Sequence, residues 1–225
     1  MPAVNCELLP VNFACALHRS ANGCNVYTSL NRLGRIVVAA LAVAAVAATA
    51  QEDTRKLFEA GKYQAVVEQT PADAPADAQY LKALAHLKLD QPEQAREAFL
   101  RLERAAQAWR SVGQSAIAFA DGNQEAALEA ARAGVAADPG LAEAQHQLGL
   151  VLDARGDNPG AAEAFVKATQ ANPQMAYAHY YAGQSFYKAK RVDRMAVYFE
   201  NFLKLAPNAP EKPAVESIMR TLRGR

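Results

Sequence analysis

The sequence predicts an all-α solenoid of stacked helix–turn–helix hairpins, closed by a C-terminal capping helix. Three observations carry this. The 225 residues are 51% hydrophobic but only 8% aromatic, and 51 of them are alanine. Alanine is the best helix former and lets helices approach closely, whereas a β-sandwich or barrel needs more Val, Ile, Thr and aromatic residues. Second, Pro139, Pro173 and Pro207 recur every 34 residues, and the pairs Gly149/Gly183, Phe165/Phe199 and Gly122/Gly156 share that interval. Third, apolar residues inside each period fall at helical spacing, as with Leu141, Ala144, Leu148, Val151 and Leu152.

The elements follow in order. Arg32 and Arg35, the apolar run Ile36 to Ala48 and the small-x-small end Ala48-Thr49-Ala50 make residues 32–50 a secretory signal, with cleavage expected between Ala50 and Gln51. The run has about 15 residues, short of the roughly 20 that span a bilayer. The protein is therefore expected to be periplasmic or secreted. An uncleaved signal holding it at the inner membrane is the alternative. Residues 1–31 precede the charged end of this signal and are expected to lie upstream of the true start. Cys6, Cys15 and Cys24 all fall there, so the rest of the chain can form no disulfide framework or thiolate metal site.

Residues 51–75 hold a partial hairpin, marked by Gly61, Tyr63 and Val66, and a Pro/Ala/Asp-rich linker beginning at Pro71. Four units follow, over 76–107, 108–141, 142–175 and 176–209. In the third, Gly149 leaves room where the second helix crosses the first. Gly156-Asp157-Asn158-Pro159 is turn chemistry, and Ala161, Ala164, Phe165 and Ala168 form the inner stripe of that second helix. One hairpin cannot cover its own apolar face, so about three must stack. Residues 210–225 form the capping helix, with Val215, Ile218, Met219 and Leu222 toward the stack and Glu211 and Glu216 placed early for the helix dipole.

These residues resemble the tetratricopeptide repeat family, whose pattern is W-x-x-L-G-x-x-Y, then A-x-x-x-F, then P. In 142–175 the matching positions are Gln145, Leu148, Gly149, Leu152, Ala161, Phe165 and Pro173. In 176–209 they are His179, Ala182, Gly183, Phe186, Met195, Phe199 and Pro207. Segment 108–141 matches at Ser115, Gly122, Ala127 and Pro139, and 76–107 at Ala83, Ala95 and Phe99. The resemblance implies a right-handed solenoid whose concave face is lined by the first helix of each unit, at its second, fifth, ninth and twelfth positions. Those positions are Asp77, Tyr80, Leu84 and Leu87; Trp109, Val112, Ala116 and Phe119; Glu143, His146, Leu150 and Asp153; Tyr177, Tyr180, Gln184 and Tyr187. The resemblance thus implies a groove for a peptide or protein segment. Tyr80, Leu84, Trp109, Phe119, His146, Leu150, Tyr177, Tyr180, Gln184 and Tyr187 are its candidate contacts, and Lys188 is the candidate partner for a carboxylate. Packing of the same aromatics into a tightly curved core is the competing reading.

Other function classes find little support. Three arginines against Glu7 give residues 1–50 a charge of +2, and 21 basic against 22 acidic residues give the remainder −1. That near-neutral body has no electrostatic footprint for nucleic acid. No phosphate loop, His-Glu-x-x-His helix or Gly-x-Ser-x-Gly elbow is present. His86, His146 and His179 fall in three different units without ligand spacing, and His179, at the tryptophan position of its unit, is expected to pack. A non-catalytic scaffold without metal, cofactor or small-molecule substrate is the expectation, with contact to a membrane only through an uncleaved signal. Its expected task is that of an envelope adaptor or assembly factor. A self-associating spacer, or a regulatory or substrate-holding domain for an enzyme on another chain, are the alternatives.

Overall fold

The computed structural model describes residues 54–223. The three cysteines, the signal segment 32–50 and the Ala50–Gln51 cleavage site lie outside the described residues. The described residues are helical with connecting turns. The first described residues, 54–59, are helical (α1) and are followed by α2 (Tyr63–Gln69). The first full unit contains α3 (Ala76–Lys88) and α4 (Pro92–Leu100), the latter extended by a 3-10 turn at Arg101–Arg104. Three further hairpins are α5 (Gln107–Ala120) with α6 (Gln124–Ala137), α7 (Ala142–Ala154) with α8 (Asn158–Ala171), and α9 (Ala176–Lys188) with α10 (Val192–Leu205). The chain closes with α11 (Lys212–Arg223). Among the described residues, no helix is long and apolar enough to cross a membrane.

Local chemistry sets these boundaries. Asn123 and Asp157 cap α6 and α8, accepting the N–H groups of Ala126 (3.1 Å) and Gly160 (3.0 Å). Each turn between paired helices passes through a left-handed residue, at Gly61, Asp90, Gly122, Gly156 and Lys190. Glycine takes this conformation without strain, while Asp90 and Lys190 carry a Cβ through it. Helix α3 begins at Ala76, so only the first half of the Pro-Ala-Asp stretch is linker. Pro75, at φ −55°, presets the entry, and Asp77 in the first turn suits the helix dipole.

Packing follows the 34-residue period. Gly149 and Gly183 sit against the rings of Phe165 and Phe199. A Cβ added at either would lie 2.6 and 2.5 Å from ring carbons, closer than two carbons can approach. Ser115 holds the equivalent small-residue position on α5, and its hydroxyl donates to the Ala127 carbonyl at 2.8 Å. At the C-terminal end, Val215 and Met219 of α11 turn inward onto Met195, Phe199 and Phe202, and Ile218 packs beside them. These residues cover the last hairpin.

The array curves tightly enough for its ends to meet. Tyr80 on α3 reaches past α5 to α7, with its hydroxyl 3.2 Å from His146 Nδ1 and 3.4 Å from Gln147 Oε1. Glu211, expected to serve the dipole of α11, instead accepts hydrogen bonds from Lys88 Nζ (3.1 Å) and the Tyr177 hydroxyl (2.8 Å). The first full hairpin is thereby tied to the last.

Candidate functional site

The four rows projected onto the concave face divide by depth. In the fifth-position row, Tyr80 and Val112 are fully buried, His146 is buried and Tyr180 half-buried. In the second-position row, Glu143 and Tyr177 are buried, and Asp77 and Trp109 are half-buried. The ninth-position row is intermediate: Leu84, Leu150 and Gln184 are half-buried and Ala116 is buried. The twelfth-position row is the open edge, where Leu87, Phe119 and Tyr187 are 42%, 37% and 51% exposed.

Over the inner rows, between α3, α7 and α9, lies the chain's own N-terminal hairpin. Phe58 of α1 is 4% exposed and packs with Leu81, Ala85, Val66 and Tyr177. Its ring meets those of Tyr177 and Tyr63 edge-on at centroid distances of 5.4 and 5.3 Å, a favoured arrangement of ring quadrupoles. The Tyr63 and Tyr177 hydroxyls lie 3.2 Å apart. Arg55 reaches Glu143 on α7 at 3.4 Å, and Glu59 accepts the backbone N–H of Ala176 at the start of α9, also at 3.4 Å. The turn after α1 rests on the closing loop, since a Cβ at Gly61 would meet the ring of Pro210 at 2.6 Å.

Burial alters the charges under this hairpin. The Glu59 carboxyl is raised from 4.5 to about 7, chiefly by loss of water and only partly offset by the Ala176 N–H and Arg55. His146 is lowered to about 4 by the same loss of water. Burial also raises the Tyr80 and Tyr177 hydroxyls far above the ordinary tyrosine range, so both remain neutral donors. A cavity of about 20 Å³, the size of a single water, lies between α1 and the inner rows and is lined by Glu59, Tyr80, Glu143, His146 and Tyr177 among others.

The sequence-derived contacts therefore separate. Tyr80, His146 and Tyr177 are core residues, and Trp109 packs against Tyr80 with ring centroids 6.1 Å apart. Tyr180 packs on Phe202 at 5.1 Å and accepts a hydrogen bond from Gln184 Nε2 at 2.5 Å. Leu84 borders α1, and Leu150 lies beside Phe165 and Tyr181. Phe119 and Tyr187 alone of the aromatic contacts present open surface. The Lys188 ammonium, expected to meet a partner's carboxylate, is held by both oxygens of Asp153 at 2.6 and 2.7 Å. All three described histidines are buried, and His179 lies 3.1 Å from the Pro173 carbonyl. Among the described residues, no group of three or more His, Cys, Asp or Glu is placed to hold a metal.

Sequence reasoning missed Arg55, Phe58, Glu59, Lys88, Tyr181 and Glu211. Tyr181 sits one residue past the projected row, stacked on Phe165 at 5.4 Å. The available signal was in residues 54–69, whose Leu57, Phe58, Val66 and Val67 carry more apolar surface than a half-length hairpin can cover alone.

Two tetratricopeptide repeat models match the sequence, over residues 77–106 and 146–210. No curated protein sequence matches the chain. Among solved structures, TTC0263, a thermophilic tetratricopeptide repeat protein from Thermus thermophilus, superposes with a TM-score of 0.56 at 18% identity, over 77% of this chain and 98% of that one. YrrB, described as a tetratricopeptide repeat protein with an unusual peptide-binding site, gives 0.47 at 18% identity, over 69% and 80%. MamA gives 0.44 at 21% identity, over 64% and 84%. The segment 146–210 contains Pro173, Pro207 and both close glycine–phenylalanine crossings, so this chain carries tetratricopeptide repeats on an all-helical solenoid fold.

Proposed function

We propose that the chain is a non-catalytic scaffold that holds a helical segment of another protein on its concave side, acting after export as an adaptor or assembly factor in the cell envelope. Tetratricopeptide repeats generally serve protein–protein interaction, which supports the coarse reading. The observation that carries it further is the seat beneath α1. A helix already lies there, held by an aromatic side chain, an ion pair and a backbone hydrogen bond. Rigid aromatic rings backed by buried polar groups are the usual anchors of an interface. The exposed Phe119 and Tyr187 continue the surface along its open edge. Export rests on the signal-like residues 32–50.

The test is affinity capture from envelope extracts with the tagged full chain, beside a Phe119→Ala/Tyr187→Ala variant, read by mass spectrometry. Both substituted residues are exposed, so the fold survives their loss. A protein retained by the first bait and reduced on the second supports the reading. Absence of any specifically retained protein from both would contradict it. N-terminal sequencing of the protein recovered from the periplasm should begin at Gln51, and recovery from the cytoplasm alone would remove the envelope role.

A further inference from the structure

Arg55, Phe58 and Glu59 lie at i, i+3 and i+4 and therefore on one face of α1. Each meets a feature of the seat that matches it in kind. Glu143, whose side chain is 9% exposed, faces the guanidinium of Arg55. Tyr177, Leu81 and Ala85, with Tyr63 from the hairpin itself, enclose the Phe58 ring. The first N–H of α9 faces the Glu59 carboxylate. Without a cation opposite it, Glu143 would be a buried carboxylate with no counter-charge, which is costly. The seat thus selects charge and order as well as apolar surface.

The covering hairpin has a small foothold of its own. Helix α2 is seven residues long with Val66 its one buried member, and Pro71, Ala72, Asp73 and Pro75 of the following linker are exposed. Two side-chain bonds tie its exit to α3, from Lys82 Nζ to the Thr70 carbonyl and from Gln79 Nε2 to that of Pro71. Segments with few buried contacts open well below the free energy of global unfolding.

Resting on the scaffold reading above, we infer that residues 54–69 are a built-in occupant of the concave face, and that the partner it takes is an amphipathic helix presenting a base, an aromatic ring and an acid at i, i+3 and i+4, bound by exchange with that hairpin. The tether gives the hairpin an effective concentration in the millimolar range, so a free helix of equal affinity competes poorly until the hairpin is weakened.

The experiment uses a fluorescent synthetic peptide of residues 51–70 and the full chain, unmodified or bearing Arg55→Ala and Phe58→Ala. The substituted chain should bind the peptide at least tenfold more tightly than the unmodified chain, and a peptide carrying Phe58→Ala should lose that binding. A substituted chain of unchanged helicity that binds no better overturns the inference. Should the substituted chain fail to fold, hydrogen exchange on the unmodified chain decides. Amides of α2 should exchange as a group at least tenfold faster than those of α7 and α9, and equal protection overturns exchange. Dimers of the unmodified chain that the peptide splits would assign the seat to a second copy's hairpin and likewise overturn occupancy by the chain's own hairpin. A captured envelope protein that excess peptide does not displace overturns this inference and leaves the scaffold reading standing. Tight peptide binding with nothing captured from the envelope supports the inference and counts against the scaffold reading.

Discussion

The inner and outer rows of the concave face come from the same helices at the same repeat spacing, yet they have opposite environments. Tyr80 and Tyr177, near the N-terminal ends of α3 and α9, are sealed beneath the N-terminal hairpin and against α7. Leu87, Phe119 and Tyr187, near the C-terminal ends of α3, α5 and α9, remain open to solvent. Repeat register assigns both rows to one groove. What separates them is curvature, which brings α3 against α7, and a segment from outside the full repeats that covers one end of the groove. A position's place in a repeat thus determines which way its side chain points, but not what lies opposite.

The largest expected effect comes from removing a sealed residue and an open one in parallel. Tyr177→Ala deletes the ring against Phe58 and the hydroxyl that bonds Glu211. It should cost about 3–5 kcal/mol by the precedent of large-to-alanine core changes. Tyr187→Ala should stay within about 0.5 kcal/mol, as exposed substitutions do. Denaturant melts of the two variants check the contrast, and equal losses would break it. Next in size, Gly183→Ala places a methyl 2.5 Å from the Phe199 ring. Such overpacking should lower stability by about 1–3 kcal/mol, seen as a reduced melting temperature.

The pH response sharpens the comparison further. Glu59 is raised to about 7 in the folded chain from an ordinary 4.5. Its contribution is therefore complete below pH 4.5 and fades as pH rises through 7. His146 is lowered to about 4 from 6.5, so its contribution is complete above pH 6.5 and fades as pH falls toward 4. Groups around them are Arg55 on α1, Tyr177 and the Ala176 N–H on α9, Glu143 on α7 and Tyr80 on α3. Between about pH 4.5 and 6.5 the falling Glu59 contribution and the rising His146 contribution offset each other, and stability declines below and above that range. Glu59→Gln should remove the loss that Glu59 contributes between about pH 4.5 and 7, leaving stability rising with pH up to about 6.5, and thermal melts across that range would show whether it does. A small effect of the opposite sign is expected at Lys190, which holds a left-handed turn at φ 58°. Lys190→Gly should stabilise by up to about 1 kcal/mol, since only glycine takes that conformation freely, and a denaturant midpoint that does not rise would contradict it.

Much of the fold was legible because it depends on local chemistry. Pro139, Pro173 and Pro207 end helices at a fixed interval, and Gly149 and Gly183 mark close crossings whose partners, Phe165 and Phe199, lie 16 residues on in the same hairpin. The covered seat was not legible in the same way. The Tyr63–Tyr177 contact spans 114 residues, and it depends on the summed curvature of every hairpin between. Lys190 and Asp90 also gave no glycine signal at their turns. At Tyr80, Tyr177 and His146 the sequence left groove and core as competing readings, and in the structure all three are packed. Phe119 and Tyr187, at the twelfth position of their units, are exposed among the described residues.

The most direct test of the covered seat is the proximity of Phe58 to Tyr177 in solution. In a chain labelled on its Phe and Tyr rings, rings 5.4 Å apart at their centroids should give strong nuclear Overhauser contacts between these two residues. Tyr177 should also be shielded from a soluble paramagnetic probe that broadens Tyr187. No Phe58–Tyr177 contact, with Tyr177 and Tyr187 broadened alike, would contradict the account and return the inner rows to an open groove.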